Sequence, residues 1–170
     1  MRLFKMKKLK LADSNLVYFV GIDPSAIGNP PTSGAIAVIT YNKETKLIDK
    51  LDFLNLIATE FEVADYISNL PKAKILLEKV HIMPKQSAIS MDKFIRGYGF
   101  LRGCLASNLV SYEDIQPKKW QSYFNLPKSD SATEHKNNLK AAAQRLFPSI
   151  KVTAKNQDAI LIAYYALKTN

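Results

Sequence analysis

The sequence predicts an α/β fold, a mixed sheet of about five strands with helices on both faces. Three observations lead there. The apolar segments run in the order βββαβαβ and then continue as helices. A polar turn, "NKETK" (Asn42 to Lys46), separates two of the early runs, so the chain opens as an antiparallel meander. The later strands are separated by stretches at helical spacing, which implies crossover connections and parallel neighbours.

The elements follow in order. Residues 16–22, 34–41 and 47–54 read as strands, the first two joined by the loop "DPSAIGNPPTSG". Residues 61–70 alternate apolar and polar at helical spacing until Pro71 stops them. Residues 73–78 are a short apolar run, as expected of a central strand covered on both faces. Ser87 to Ser107 reads as a long helix with Met91, Phe94, Ile95, Tyr98 and Leu101 on one stripe, and "LVSYE" (Leu109 to Glu113) as a fifth strand. Helices are expected near "PKKWQSYF", over 131–146 and over about 157–168. Trp120 and Tyr123 are at helical spacing and read as core.

Composition sets limits on function. The chain has 170 residues, 47% hydrophobic and 23% charged, which suits one core. It reads as a basic arm, residues 1–15, followed by one domain over 16–170. One cysteine, Cys104, rules out an intramolecular disulfide framework and a Cys-based zinc cluster, and two histidines make a His-rich metal site a poor reading. The apolar run before Asp23 is too short for a membrane span, and an acid and a proline stand where a signal peptide needs its h-region and cleavage site. A soluble cytoplasmic protein is expected.

Charge points to a polyanion. Lys and Arg number 24 against 15 acids, a net charge of +9 with a pI near 9.5. Pro117 to Lys151 carries seven Lys/Arg against two acids, and the first ten residues add five cations and no acid. Such excess concentrates nucleic acid around a protein and releases counterions when phosphates bind.

Three acids stand at the margins of apolar runs: Asp23 ends "VYFVGID", Glu78 ends "KILLE", and Asp158 opens "DAILIAYYAL". Each has an ordinary explanation, as an Asx turn, a lysine partner or a helix cap. Together they suggest more. In an open α/β sheet, chemistry sits at the carboxyl ends of strands near the point where strand order reverses. If the strands ending in Asp23 and Glu78 are parallel neighbours, and the last helix packs over the first strand, the three carboxylates meet. A divalent cation removes the repulsion that results. Mg²⁺ prefers oxygen ligands and bridges carboxylates to phosphate.

These segments are also familiar. "GIDPSAIG…SGAIAVI", "LLEKVHI", "KFIRGYGFLRGCLA" and "DAILIAYYA" resemble, in order and spacing, the motifs of the RuvC-type Holliday junction resolvases, and the compact length resembles the bacteriophage branch of that family. The resemblance spans about Tyr18 to Leu167. It implies a ribonuclease H-like fold, a homodimer, and paired symmetric nicking of four-way DNA junctions with Mg²⁺ or Mn²⁺, one or two ions per subunit. The host cytoplasm would be the location of a phage-encoded member. Asp23, Glu78 and Asp158 fall on three of the family's four metal ligands, whereas Lys155 stands at the fourth. An ammonium does not ligate a cation, and Asn156 lies at an offset that points it elsewhere, so one tight ion and a weaker second are expected. His81 stands where the family stacks an aromatic at the junction crossover, and Lys136 matches a lysine near the scissile phosphate. Lys118, Lys119, Lys128 and Lys155 join them as expected DNA contacts. The long helix is apolar or small on two faces, through Ala88, Gly97, Phe100 and Cys104 off its main stripe, as a dimer helix requires.

Three rival readings stay open on the sequence: a flap, branch or RNA–DNA hybrid nuclease of the same fold, a non-catalytic structure-selective DNA-binding module, and a sugar-kinase-like phosphotransferase. The last is disfavoured because the chain leaves little room for a second phosphate loop and a nucleotide site.

Overall fold

The computed structural model describes residues 15–24, 34–80 and 87–170. All of the basic arm except Asn15, the centre of the first loop, and His81 lie outside the described residues. The strands are β1 (Leu16–Asp23), β2 (Ala35–Asn42), β3 (Leu47–Asn55), β4 (Ala73–Glu78) and β5 (Glu113–Ile115). The helices are α1 (Glu60–Ser68), α2 (Ala88–Ser107), α3 (Pro117–Gln121), α4 (Ala132–Leu146) and α5 (Gln157–Lys168), with a 3₁₀ turn at Ser122–Phe124.

The five strands form one mixed sheet in the order β3-β2-β1-β4-β5. β1, β2 and β3 are the antiparallel meander, whereas β1, β4 and β5 run parallel. β1 is therefore the strand at which direction changes.

Alternation along the strands divides the core in two. Tyr18, Val20, Ile22, Ile75 and Leu77 pack with Val63 and Ile67 of α1 and Leu101 and Leu105 of α2. Phe19, Leu76 and Ile115 face the other way, against Leu139 and Ala143 of α4 and the buried run of α5. With a side-chain period of two, Phe19, Gly21 and Asp23 share the α5 face of β1, and Leu76 and Glu78 share the same face of β4. α5 is buried from Gln157 through Ala163, as a helix apolar nearly all round must be.

Gly21 explains how closely α5 approaches. A Cβ at Gly21 would lie 2.2 Å from the Ala159 carbonyl oxygen and 2.3 Å from the Ala163 nitrogen. Only a residue without a side chain lets the helix backbone lie there.

Local signals set the helix boundaries. Thr59 and Glu62 form a reciprocal capping box at the start of α1. Ser87 caps α2 through the Ser90 amide, and Ser131 caps α4 through the Glu134 amide. The fifth strand departs from expectation: it is Glu113–Ile115, not Leu109–Glu113. Leu109 takes φ 54° and is 94% exposed, closing the end of α2 after its cap Asn108, so the apolar "LV" belongs to the turn.

Candidate active site

The β1–β4 register runs from Tyr18 opposite Ala73 to Ile22 opposite Leu77, and the next step sets Asp23 beside Glu78. Neighbouring strands lie about 4.8 Å apart, so the two carboxylates rise side by side from the parallel edge. Asp158, in the first turn of α5, joins them because Gly21 brings that helix onto β1. All three line one cavity of about 520 Å³, together with Lys136 from α4.

The electrostatics match that crowding. Burial, followed by the Asp158 and Glu78 carboxylates, pushes the Asp23 pKa well above the usual carboxylate value. Burial also raises Glu78, partly offset by the indole of Trp120, whose Nε1 donates to Glu78 Oε1 at 2.9 Å. The two carboxyls also interact with each other, which raises Asp23 and lowers Glu78. Lys136 supplies the counter-charge, its ammonium donating to Asp158 Oδ2. Burial works against that ammonium, but the carboxylates, led by Asp158, outweigh it and raise its pKa. The other Asp158 oxygen, Oδ1, accepts from Gln157 Nε2 at 3.3 Å.

Among the described residues, no three His, Cys, Asp or Glu side chains form a ready-made metal cage. The carboxylates share a cavity without converging on a common centre, and Asp158 is turned to Lys136. The donor set still suits a hard cation: three carboxylates, two of them destabilised as anions, opening to one space.

A second, more open cavity of about 840 Å³ lies between α3 and the start of α4. Lys118, Lys128 and His135 line it, and it shares Pro117 and Gln121 with the acidic cavity, so the two are adjacent. His135 Nε2 lies 3.2 Å from Oε1 of the shared Gln121. Lys119 is exposed on α3 outside both linings, and Lys155 is half-buried in the turn before α5, where Ala154 and not Lys155 faces the acidic cavity. Asn156 is used within that turn, its Oδ1 accepting from the Thr153 amide at 2.8 Å.

Sequence reasoning missed two residues that touch the acids. Trp120 is core, as expected, but its indole N–H also holds Glu78 from 42 positions away, and no spacing rule reports that. Gln157 carried a signal: it is a polar residue on a helix otherwise buried and apolar. Tyr123 departs from expectation. It is 41% exposed and packs edge-on against Phe124 and Tyr165 at the surface.

The chain path can be compared with known structures. Thermus thermophilus RuvC in complex with a Holliday junction substrate matches with a TM-score of 0.57 over 91% of this chain and 96% of that one, at 10% identity. A second Thermus thermophilus RuvC structure matches with a TM-score of 0.53 over 90% and 96%, at 11% identity. The fold is that of RuvC. No protein-family model matches the sequence, and no curated protein does. The likeness to RuvC therefore rests on the mixed sheet and its helices, a ribonuclease H-like arrangement, and not on aligned side chains.

Proposed function

We propose that this chain is a metal-dependent endonuclease that resolves four-way DNA junctions by paired symmetric nicks, acting as a homodimer. The observation that carries the reading is the meeting of Asp23, Glu78, Asp158 and the Lys136 ammonium in one cavity at the carboxyl edge of parallel strands. RuvC, whose fold it shares, is known bound to a Holliday junction substrate.

Asp23, Glu78 and Asp158 would hold Mg²⁺ or Mn²⁺, one ion tightly and a second weakly. A cation held there would supply Lewis-acid stabilisation of charge on the phosphoryl oxygens. The chain's own residues do the rest. Trp120 fixes the Glu78 carboxylate, and burial beneath α5 keeps the acids out of bulk water. The Lys136 ammonium, released from Asp158, places a positive charge beside the scissile phosphate. Lys118 and Lys128, which line the neighbouring open cavity, would take flanking phosphates. Lys119 and Lys155 extend the basic surface, and His81 is assigned to stacking at the crossover. The basic arm, residues 1–15, is assigned to the DNA backbone and residues 16–170 to one nuclease domain.

α2 would offer the dimer surface, but not through the face read from the sequence: Gly97 is buried and Phe100 and Cys104 pack against the chain's own core, whereas Ile95 of the expected core stripe is open. Ile89 and Ile95 are 71% and 50% exposed, and Gly99 and Gly103, one turn apart, have no neighbour within 4 Å where a Cβ would stand. Glycine inside a helix is unfavourable, so two with no packing need inside this chain suit close approach of a second copy.

A second reading, a junction-binding module that does not cut, is favoured by Lys155 at the family's fourth ligand position and by the missing ready-made cage. One assay separates the two. Wild type, Asp23→Asn, Glu78→Gln and Asp158→Asn are incubated with a four-way junction, a flap and an RNA–DNA hybrid, in Mg²⁺ and in Mn²⁺. Paired nicks in the four-way junction by wild type alone, with junction binding kept in the variants, support the nuclease. Binding without cutting by wild type supports the module, and preferred cutting of the flap or hybrid changes the substrate.

A further inference from the structure

Gln157 presents a puzzle that packing does not explain. It is fully buried, and its Oε1 has no hydrogen-bond partner. Leaving an amide oxygen buried and unpaired is unfavourable, and an apolar side chain of the same length would avoid the loss. The other end of the amide is fully used. Nε2 donates to the Lys136 carbonyl oxygen at 3.2 Å and to Asp158 Oδ1 at 3.3 Å. Both partners are acceptors, so turning the amide over would set oxygen against oxygen. The nitrogen must face them, and the oxygen is left alone.

The two bonds have a common effect. They tie the α4 backbone at Lys136 to the carboxylate of Asp158, while the Lys136 ammonium takes the second Asp158 oxygen. The carboxylate is held at both oxygens, but by groups of different exposure. The Gln157 amide is enclosed in the core, whereas the Lys136 side chain is 54% exposed.

We propose that Gln157 is a positioning residue that fixes the Asp158 carboxylate plane through Oδ1, so that Oδ2 can pass from the Lys136 ammonium to a divalent cation without the carboxylate turning away. The inference rests on the nuclease reading. It goes further by giving Lys136 and the cation alternate use of one oxygen and assigning its control to a residue that touches neither DNA nor the cation.

The test is Gln157→Met, which keeps length and removes both donors. Three quantities are measured: Mn²⁺ affinity by calorimetry without DNA, melting temperature in chelator, and cleavage of a four-way junction at saturating DNA. The expected result is a cooperative melt showing that the variant folds, Mn²⁺ affinity weaker by about tenfold, and a matching fall in kcat with KM unchanged. Wild-type Mn²⁺ affinity and kcat in a stable Gln157→Met would overturn the proposal and leave Gln157 as core filling.

If Gln157→Met does not fold, the wild-type protein decides the matter by NMR. The Gln157 side-chain NH₂ signals should be slow to exchange and should shift on adding Mg²⁺. Fast exchange, or no shift at saturating Mg²⁺, overturns the proposal. Failure of wild type to bind Mn²⁺ and to cut any branched DNA sinks the nuclease reading, and this inference with it. Loss of the Gln157 effect alone leaves that reading standing.

Discussion

Gly21 of β1 lies directly beneath Ala159 of α5, so close that a Cβ on the glycine would reach to 2.2 Å from the Ala159 carbonyl oxygen. The contact sets the height of α5 above the sheet, and with it the distance of Asp158 from Asp23. Gly21→Ala must lift the helix, because the atoms met are backbone. Overpacking of this kind costs about 1–3 kcal/mol, readable as a shift in the urea midpoint. The expected loss of cleavage is larger than that loss of stability explains, since every folded molecule carries a displaced Asp158. Wild-type turnover in folded Gly21→Ala would show that the site tolerates a raised helix.

Trp120 is fully buried, and its indole N–H donates to Glu78. That bond lowers the Glu78 pKa against a burial effect that raises it. Trp120→Phe keeps an aromatic ring and removes the donor, so Glu78 holds its proton to higher pH. The acid limb of the pH–rate profile should move to higher pH, with a stability loss of about 1–3 kcal/mol for the orphaned acceptor. Superimposable profiles for wild type and Trp120→Phe would mean that the bond is structural only.

Much of this site could be read from the chain because it depends on periods and ends. The end of the apolar run 73–78 marks Glu78, and the change from meander to crossover makes β1 and β4 candidate parallel neighbours. Asp23 and Glu78 then fall side by side by counting. What could not be read is whatever long-range packing decides. Trp120 reaches Glu78 only because α3 folds under the β4 edge. Lys136 meets Asp158 only because α4 lies along α5. The fifth strand was displaced because Leu109 closes a helix in the left-handed region, which leucine seldom does and composition does not announce.

The raised carboxylates predict an inverted pH dependence of stability in metal-free protein. Asp23 is pushed up by burial and then by Asp158 and Glu78, and Glu78 is pushed up chiefly by burial. Between the ordinary carboxylate pKa, about 4, and those raised values, the folded chain keeps protons that the unfolded chain has released. Stability therefore falls as pH rises through that window. Lys136, whose pKa is raised, contributes stability that is lost only above the ordinary lysine range and does not enter the window. In chelator, the melting temperature should be higher in mild acid than at neutral pH. Asp23→Asn should flatten most of that slope and melt above wild type at neutral pH. Mg²⁺ should raise the neutral melting temperature of wild type more than that of Asp23→Asn. A wild-type melting temperature that climbs from mild acid to neutral in chelator would show that the acids are not crowded as described.

The turn before α5 separates two ways of adding a fourth carboxylate. By the sequence resemblance Lys155 falls at the fourth ligand position of the RuvC-type resolvases, yet it is Ala154, in the turn before α5 and four residues before Asp158, that lines the acidic cavity. Asn156 offers nothing, because its Oδ1 takes the Thr153 amide and its Nδ2 donates to the Lys151 carbonyl. A carboxylate at 154 therefore enters the cavity directly, whereas one at 155 must first reorganise the turn. Ala154→Asp should tighten Mn²⁺ binding and raise cleavage at limiting metal. Lys155→Asp should chiefly weaken DNA binding, because it exchanges a cation for an anion on the proposed DNA surface, and its salt dependence should flatten. Cleavage rate followed against Mn²⁺ concentration for both variants gives the comparison. A gain at low metal for Lys155→Asp alone would mean that residue 155 swings inward when DNA binds, and that the working site differs from this one by a rearrangement of the turn.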